Sequence, residues 1–140
     1  MNINYIETPS GKKLFSYHRH DFQMEEGVGI DGGLQDYVRV IGGAELKEDS
    51  VENLILDIRE SFKWGKNYDK DNNPLPKTEW VLLKDLDTSH IVNILIYFTN
   101  QIKIDGINVK SSLDKQWVAY HLFFLEELKY RLGQQSAGDK

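Results

Sequence analysis

An α+β fold, with a small N-terminal antiparallel sheet packed against about three helices, is predicted by three features of this 140-residue sequence. The first forty-odd residues alternate apolar and polar side chains with period two and are cut by turn residues. Beyond residue 50 the apolar residues recur every three to four positions instead. The two patterns follow one another in blocks, whereas a parallel sheet of βαβ units would interleave them.

The first strand is read at Asn2 to Glu7, where Ile3 and Tyr5 share one side, and Thr-Pro-Ser-Gly at 8–11 closes it. Extended chain resumes from Lys13 to Tyr17. The runs 22–25 and 28–30 flank Glu26-Gly27, a hairpin turn, and Asp31-Gly32-Gly33 makes a second turn before a strand over 35–41. In that strand Tyr37, Arg39 and Ile41 lie on one face while Asp36, Val38 and Val40 lie on the other. After Gly42-Gly43, Asp49 or Ser50 caps an amphipathic helix carrying Val51, Leu54, Ile55, Ile58 and Phe62, which is expected to end near Trp64-Gly65. The stretch 66–78, with Asp-Asn-Asn-Pro and a second proline two residues on, has no period and reads as an exposed irregular excursion. Extended chain is expected at 79–83. A helix then runs over about 89–101, with Asp87-Thr88 at its start, and 102–109 reads as a short hairpin or ordered loop around Asp105-Gly106. Leu113, Trp117, Tyr120, Phe124 and Leu128 place the last helix over about 112–132, with Gly133 as its stop. One domain over 1–132 and a flexible polar tail over 133–140 follow.

Composition narrows the functional classes. Seventeen Lys and Arg against twenty-two Asp and Glu give a formal charge of -5, and no basic stripe appears, which argues against a DNA or RNA partner. A local pocket of a few arginines is still compatible with a small phosphorylated ligand. The sequence contains no cysteine, so disulfides, thiolate catalysis and sulfur-ligated zinc are excluded together. Met1 to Glu7 lacks the character of a signal peptide, and the most apolar run, 91–98, falls far short of the roughly 18–20 residues that span a bilayer. A soluble, internal protein is expected.

Several clusters invite a chemical reading. In a strand His18 and His20 would share a face, with Arg19 and Asp21 on the other, but two imidazoles are an incomplete metal set and a polar strand edge has the same appearance. Acid-base work by these residues would need a nucleophile or substrate that the sequence does not name. Asp31-Gly32-Gly33 has neither the dinucleotide fingerprint nor the P-loop ending, and its glycines read as positive-φ turn positions. The neighbouring pairs Glu25-Glu26 and Glu126-Glu127 point apart and read as solvated surface. Only four of the basic residues are arginine, the side chain that grips phosphate bidentately, so Arg39 and Arg131 are candidates for a ligand as well as for surface ion pairs. Trp64, Tyr68 and Trp80 bracket the long loop, and either sandwich a base or staple the loop to the core. The staple is the simpler assignment.

Five segments, His-Arg-His-Asp-Phe at 18–22, Asp-Gly-Gly-Leu-Gln-Asp-Tyr-Val-Arg at 31–39, Asp-Ile-Arg-Glu-Ser-Phe-Lys-Trp-Gly at 57–65, Leu-Leu-Lys-Asp-Leu-Asp-Thr-Ser-His-Ile at 82–91 and Glu-Leu-Lys-Tyr-Arg at 127–131, cover nearly the whole chain in order. Together they resemble small tailed-phage proteins, and among these the phage anti-Thoeris signal sponges. The resemblance implies an α+β protein that assembles through helices into dimers or hexamers in the host bacterial cytoplasm. It implies capture of glyco-cyclic ADP-ribose, the signal made by host TIR enzymes, without cleavage, and in some relatives cyclic oligonucleotides at separate sites. It further implies Arg39 and Arg131 as pyrophosphate ligands, with Arg59, Lys84, Trp64, Tyr68 and Trp80 as weaker carry-overs, and neither cofactor, metal, DNA nor membrane as partner. Two rival readings are a phage enzyme cleaving a nucleotide signal through His18, His20 and Asp21, and a ligand-free module that binds protein through its last helix.

Overall fold

The computed structural model describes the backbone of residues 1–105 and 112–138 and the side-chain surroundings of 1–101 and 115–134. Strand β1 (Asn2–Glu7) is the centre of a three-stranded antiparallel sheet, flanked by β2 (Lys13–Leu14) and by β6 (Lys47–Ser50). A second antiparallel sheet holds β3 (Gln23–Glu25), β4 (Val28–Asp31) and β5 (Arg39–Ile41) in that order. Glu26 and Gly27 join β3 to β4 with φ of 53° and 81°, the two positive-φ residues that a tight hairpin of this twist requires. Gly32 is needed for a different reason: at φ 89° a Cβ there would lie 1.8 Å from the Tyr37 carbonyl oxygen.

The strand expected over 35–41 is shortened to β5, because Val38 N–H bonds back to the Gln35 carbonyl (3.3 Å) and turns the chain at 36–37. The expected division of faces survives in β5 itself. Val38 and Val40 pack on a small core of Ile6, Leu14 and Ile30, while Arg39 and Ile41 are exposed.

Helix α1 (Val51–Ile58) starts where Ser50 Oγ accepts the Asn53 N–H at 3.1 Å, and buries Val51, Leu54 and Ile58. It ends at Ile58 and not near Trp64-Gly65 as expected. Phe62 keeps the helical spacing but reaches the core from a closing turn, with Ser61 and Phe62 N–H both bonded to the Ile58 carbonyl.

The 66–78 excursion is also corrected: β7 (Lys63–Tyr68) and β8 (Pro74–Leu82) form an antiparallel hairpin. Asp69 Oδ1 accepts the N–H groups of Asp71 and Asn73 (2.9 Å each) and holds the turn, with Asn72 at φ 66°. Pro74 and Pro76 are tolerated because this is an isolated two-stranded ribbon with open edges and a register irregularity between Lys66 and Tyr68.

A 3₁₀ turn (Leu83–Asp85) leads into α2 (Thr88–Asp105), which continues past the expected end at 101, and 106–109 of the anticipated hairpin or loop lie outside the described residues. Helix α3 (Ser112–Gly138) runs through Gly133, where a Cβ would meet nothing within 4 Å and a glycine lowers helix propensity without breaking the ladder.

The main core joins the first sheet to α1, α2 and α3 through Ile3, Leu54, Ile58, Ile91, Phe123 and Phe124. Phe62 stands at its centre, with Tyr17, Tyr120, Phe123 and Phe124 rings all 4.9 to 6.0 Å away. Small antiparallel sheets beside three helices, with the β7–β8 hairpin placed between α1 and α2, make an α+β architecture. Among the described residues no helix is long and apolar enough to cross a membrane.

Candidate functional site

One face of the β7–β8 hairpin packs on the core and the other looks outward, as strand alternation dictates. Trp64 and Val81, paired across the strands, belong to the core face, and the Trp64 ring meets Phe98 and Phe124 edge-on at 6.0 and 5.1 Å. Lys63, Gly65 and Asn67 lie on the outer face with Thr78 and Trp80. Trp80 is directly opposite Gly65, and a Cβ on Gly65 would stand 3.2 and 3.3 Å from Trp80 Cζ3 and Cη2, so the indole ring is seated over the glycine. Its remaining surface is open: Trp80 is 65% exposed.

This outer face forms one wall of a half-open cleft of about 760 Å³. The segment from Lys12 to Tyr17, followed by His18 and Asp21, forms the other, and Phe62, Trp64 and Tyr120 contribute aromatic surface between them. The size falls within the range of about 300–1,000 Å³ typical of small-molecule sites. Lys12 at the rim is paired with Glu25 (2.8 Å), and Lys13 lies 3.6 Å from Asp57. Lys63 makes no ion pair among the described residues.

The hydroxyl groups in the cleft are fixed. Ser61 Oγ donates to the Asp57 carbonyl (2.9 Å), which leaves it to accept from Tyr17 Oη at 2.5 Å. Tyr120 Oη donates to the Tyr17 carbonyl at 2.8 Å. Burial pushes both phenols far up, so each stays neutral and donating.

The His18-Arg19-His20-Asp21 segment is a turn and not a strand, closed by Asp21 N–H to the His18 carbonyl at 3.0 Å. Asp21 Oδ2 accepts Tyr17 N–H (2.8 Å) and Oδ1 accepts Gln23 Nε2 (2.7 Å). Ser16, fully buried beneath it, donates to the Asp21 carbonyl (2.6 Å) and accepts Gly33 N–H (2.9 Å). Asp21 is thereby a loop anchor. His18 reaches the cleft wall, His20 is exposed, and Arg19 lies over the Tyr37 ring at 4.7 Å.

Arg39 and Arg131 are not brought to one site. Arg39 sits on exposed β5 and grips Asp31 with two bonds of 2.9 Å, which raise its pKa. Arg131, at the far side of the main core, donates to Glu127 (3.0 Å), to Thr88 Oγ1 (2.8 Å) and to the Leu83 and Lys84 carbonyls (3.1 and 3.3 Å). Arg59 joins it there with a bidentate grip on Glu127 (2.6 and 3.1 Å) and lies 4.3 Å over the Tyr130 ring. Lys84 pairs with Glu60 at 2.8 Å.

Glu127, expected as solvated surface, is in fact 0% exposed between two guanidinium groups. The signal was present, since Glu127 follows Phe124 by three and Tyr120 by seven positions and so falls on the apolar stripe. Of the seven residues expected to bind ligand, Trp64 and Trp80 line the cleft, whereas Tyr68 is exposed on the hairpin and the four cations engage carboxylates. Lys63 is hidden from sequence reasoning by the helix expected to run on to Trp64-Gly65, and Asn67 and Thr78 are hidden because nothing in 66–78 announces a strand whose alternate residues share a face.

No protein-family model, curated protein or solved structure matches this chain.

Proposed function

We propose that this chain is a non-enzymatic phage protein that captures a cyclic ADP-ribose isomer of the glyco-cyclic ADP-ribose type and withholds it from the host's Thoeris receptor. The observation that carries the reading is the cleft itself, where an exposed indole seated on Gly65 and the ammonium of Lys63 flank an aromatic wall. A base stacked on an aromatic side chain contributes about 1–3 kcal/mol. Hydrogen bonds to a charged group contribute roughly 1.5–3 kcal/mol each. Several such contacts support nanomolar binding, about -12 kcal/mol, after the cost of association.

Capture is favoured over cleavage by what the polar groups in the cleft already do. The Asp21 carboxylate is held by Tyr17 and Gln23, and the proton of Ser61 is directed at a carbonyl. A sponge benefits from ground-state affinity, while a hydrolase needs groups that strengthen only in the transition state. The phosphate-binding role is assigned to Lys63, whereas Arg131 ties the helices together through Glu127 and Arg39 holds Asp31 at the exposed edge of β5.

The resemblance to the sponges also implies a homo-oligomer built through helices. Helix α2 leaves Val92, Ile96 and Tyr97 exposed, and α3 leaves Leu132 exposed, which is apolar surface suited to such an assembly. The host bacterial cytoplasm is where the signal is made and where the protein would act.

Ultrafiltration of a TIR reaction product over the protein tests the site. The intact chain should retain the product, and Trp80→Ala and Lys63→Glu should each release at least about tenfold more into the filtrate, from the loss of roughly 1.4 kcal/mol or more. Equal retention by both variants would remove the cleft from consideration.

A further inference from the structure

We infer that the Lys12–Glu25 ion pair is a latch at the rim of the cleft: an anionic ligand takes Lys12 over from Glu25, and Glu25 thereby sets how tightly the cleft holds its ligand. The inference rests on the capture reading above and adds the regulation of that site. Three lysines line the cleft, and of these only Lys63 makes no ion pair among the described residues. A pyrophosphate brings two negative charges, one on each phosphorus, so a single free ammonium leaves the second charge unmatched. Lys13 is drawn toward Asp57 on α1, outside the cleft, at 3.6 Å. Lys12 remains, and its present partner, Glu25 at 2.8 Å, lines the cleft with it.

The pair is built to exchange partners. Its side chains are 60% and 44% exposed, and an ion pair so open to water is weak because each charge is nearly as well solvated alone. A lysine on a phosphate inside a half-open cleft makes a charge-assisted hydrogen bond that salt screens less. The backbone on both sides is held through the exchange. Lys12 N–H donates to Thr8 Oγ1 (3.1 Å), and its carbonyl accepts Thr8 N–H (2.8 Å). Glu25 is paired with Val28 in the β3–β4 ladder, and the neighbouring Glu26 accepts from Ser10 Oγ at 2.7 Å, a second tie between the same two turns. Only the Lys12 side chain has to swing, and the carboxylate it leaves stands on exposed β3, in water. Glu25 therefore competes with the ligand for Lys12, and removing its charge strengthens anion binding.

Calorimetric titration of inorganic pyrophosphate into the full chain, Glu25→Gln, Lys12→Gln and the double variant tests the latch, beside retention of the TIR product by the same four proteins. The salt is kept at about 0.15 M, where exposed charges more than about 8 Å apart are largely screened. Glu25→Gln should bind pyrophosphate about two- to fivefold more tightly, the gain from an exposed ion pair that no longer has to be broken. Lys12→Gln should bind it at least about twofold more weakly than the intact chain, and adding Glu25→Gln to that variant should leave the affinity there. Retention of the TIR product should follow the same order, and the urea midpoints of all four should coincide, so that altered binding is not a loss of fold. A Glu25→Gln gain that persists in full without Lys12 marks a diffuse effect of charge and overturns the latch. Wild-type affinity in Lys12→Gln, or no pyrophosphate binding by any of the four, overturns it as well. Any of these results with the TIR product still retained leaves the capture reading standing, whereas retention by none of the chains overturns that reading and the latch with it.

Discussion

Glu127 shows how much a single residue can settle in this molecule. Its carboxylate is enclosed by Arg59 and Arg131, and Arg131 carries the cluster on to the carbonyls of Leu83 and Lys84 and to Thr88 at the start of α2. The arrangement ties α1, the 3₁₀ turn, α2 and α3 together. Arg131→Ala leaves Glu127 its bidentate pair with Arg59 but removes the bonds to Thr88 and to the Leu83 and Lys84 carbonyls. It should cost about 1.5–3 kcal/mol, the scale of a hydrogen bond to a charged group, seen as a lower urea midpoint, and an unchanged midpoint would contradict the buried network. Arg39→Ala, by contrast, deletes an exposed pair with Asp31 and should leave the midpoint where it was, because such pairs are solvated and screened. The two arginines look alike in the sequence, each beside a tyrosine or one residue from it. Their roles separate only when the third partner, Glu127, is recognised as lying on the apolar stripe of its helix.

Among the elements, α1 and the β3–β4 hairpin were legible because their signals are local. Ser50 caps α1 through a hydrogen bond to Asn53, and Ser50→Ala should cost about 1 kcal/mol in chemical denaturation, with a change below a few tenths speaking against the cap. Strands β6 and β7 were not legible, and of β8 only its end was, read as extended chain at 79–83. Lys47-Glu48-Asp49-Ser50 carries no apolar residue, so its pairing with β1 is a matter of backbone bonds that leave no period in the sequence. In β7–β8 most residues are exposed on both faces, and Pro74 and Pro76 read as loop punctuation. The same lack of pattern concealed the cleft wall. Gly65→Ala tests that wall as a unit: a Cβ would press on Trp80 and Thr78, so the ring should shift and retention of the TIR product should fall with little loss of stability. Wild-type retention in Gly65→Ala would mean that the seat of the indole is immaterial.

At the level of the whole molecule, stability should fall with acid in two stages. Burial, reinforced by nearby Lys66 and opposed by Asp87, lowers the His90 pKa. The unfolded chain then takes up a proton before the folded one, so the stability from neutral His90 is complete above its ordinary value of about 6.5 and is lost as pH falls through the folded-state value. His90→Gln should flatten the thermal midpoint between pH 7 and 5; an unaltered slope would contradict this. Glu60, bonded by Lys84, and Asp49, bonded by Asn53 and the Ser50 N–H, are lowered as well. Their contribution is present above the usual carboxylate range of about 4 and disappears as pH falls below it, which sets the second stage.

The same scale holds the central claim, that one cleft between two strand-built walls keeps a nucleotide signal whole. The most direct measurement incubates the protein with the TIR product until the free signal is depleted, denatures the protein by heat, and identifies by mass spectrometry what is released. The account predicts the original cyclic molecule, recovered in full and still active on the Thoeris effector. Recovery of linear or hydrolysed fragments would make the chain an enzyme, and a signal never depleted before heating would leave the cleft without the ligand assigned to it.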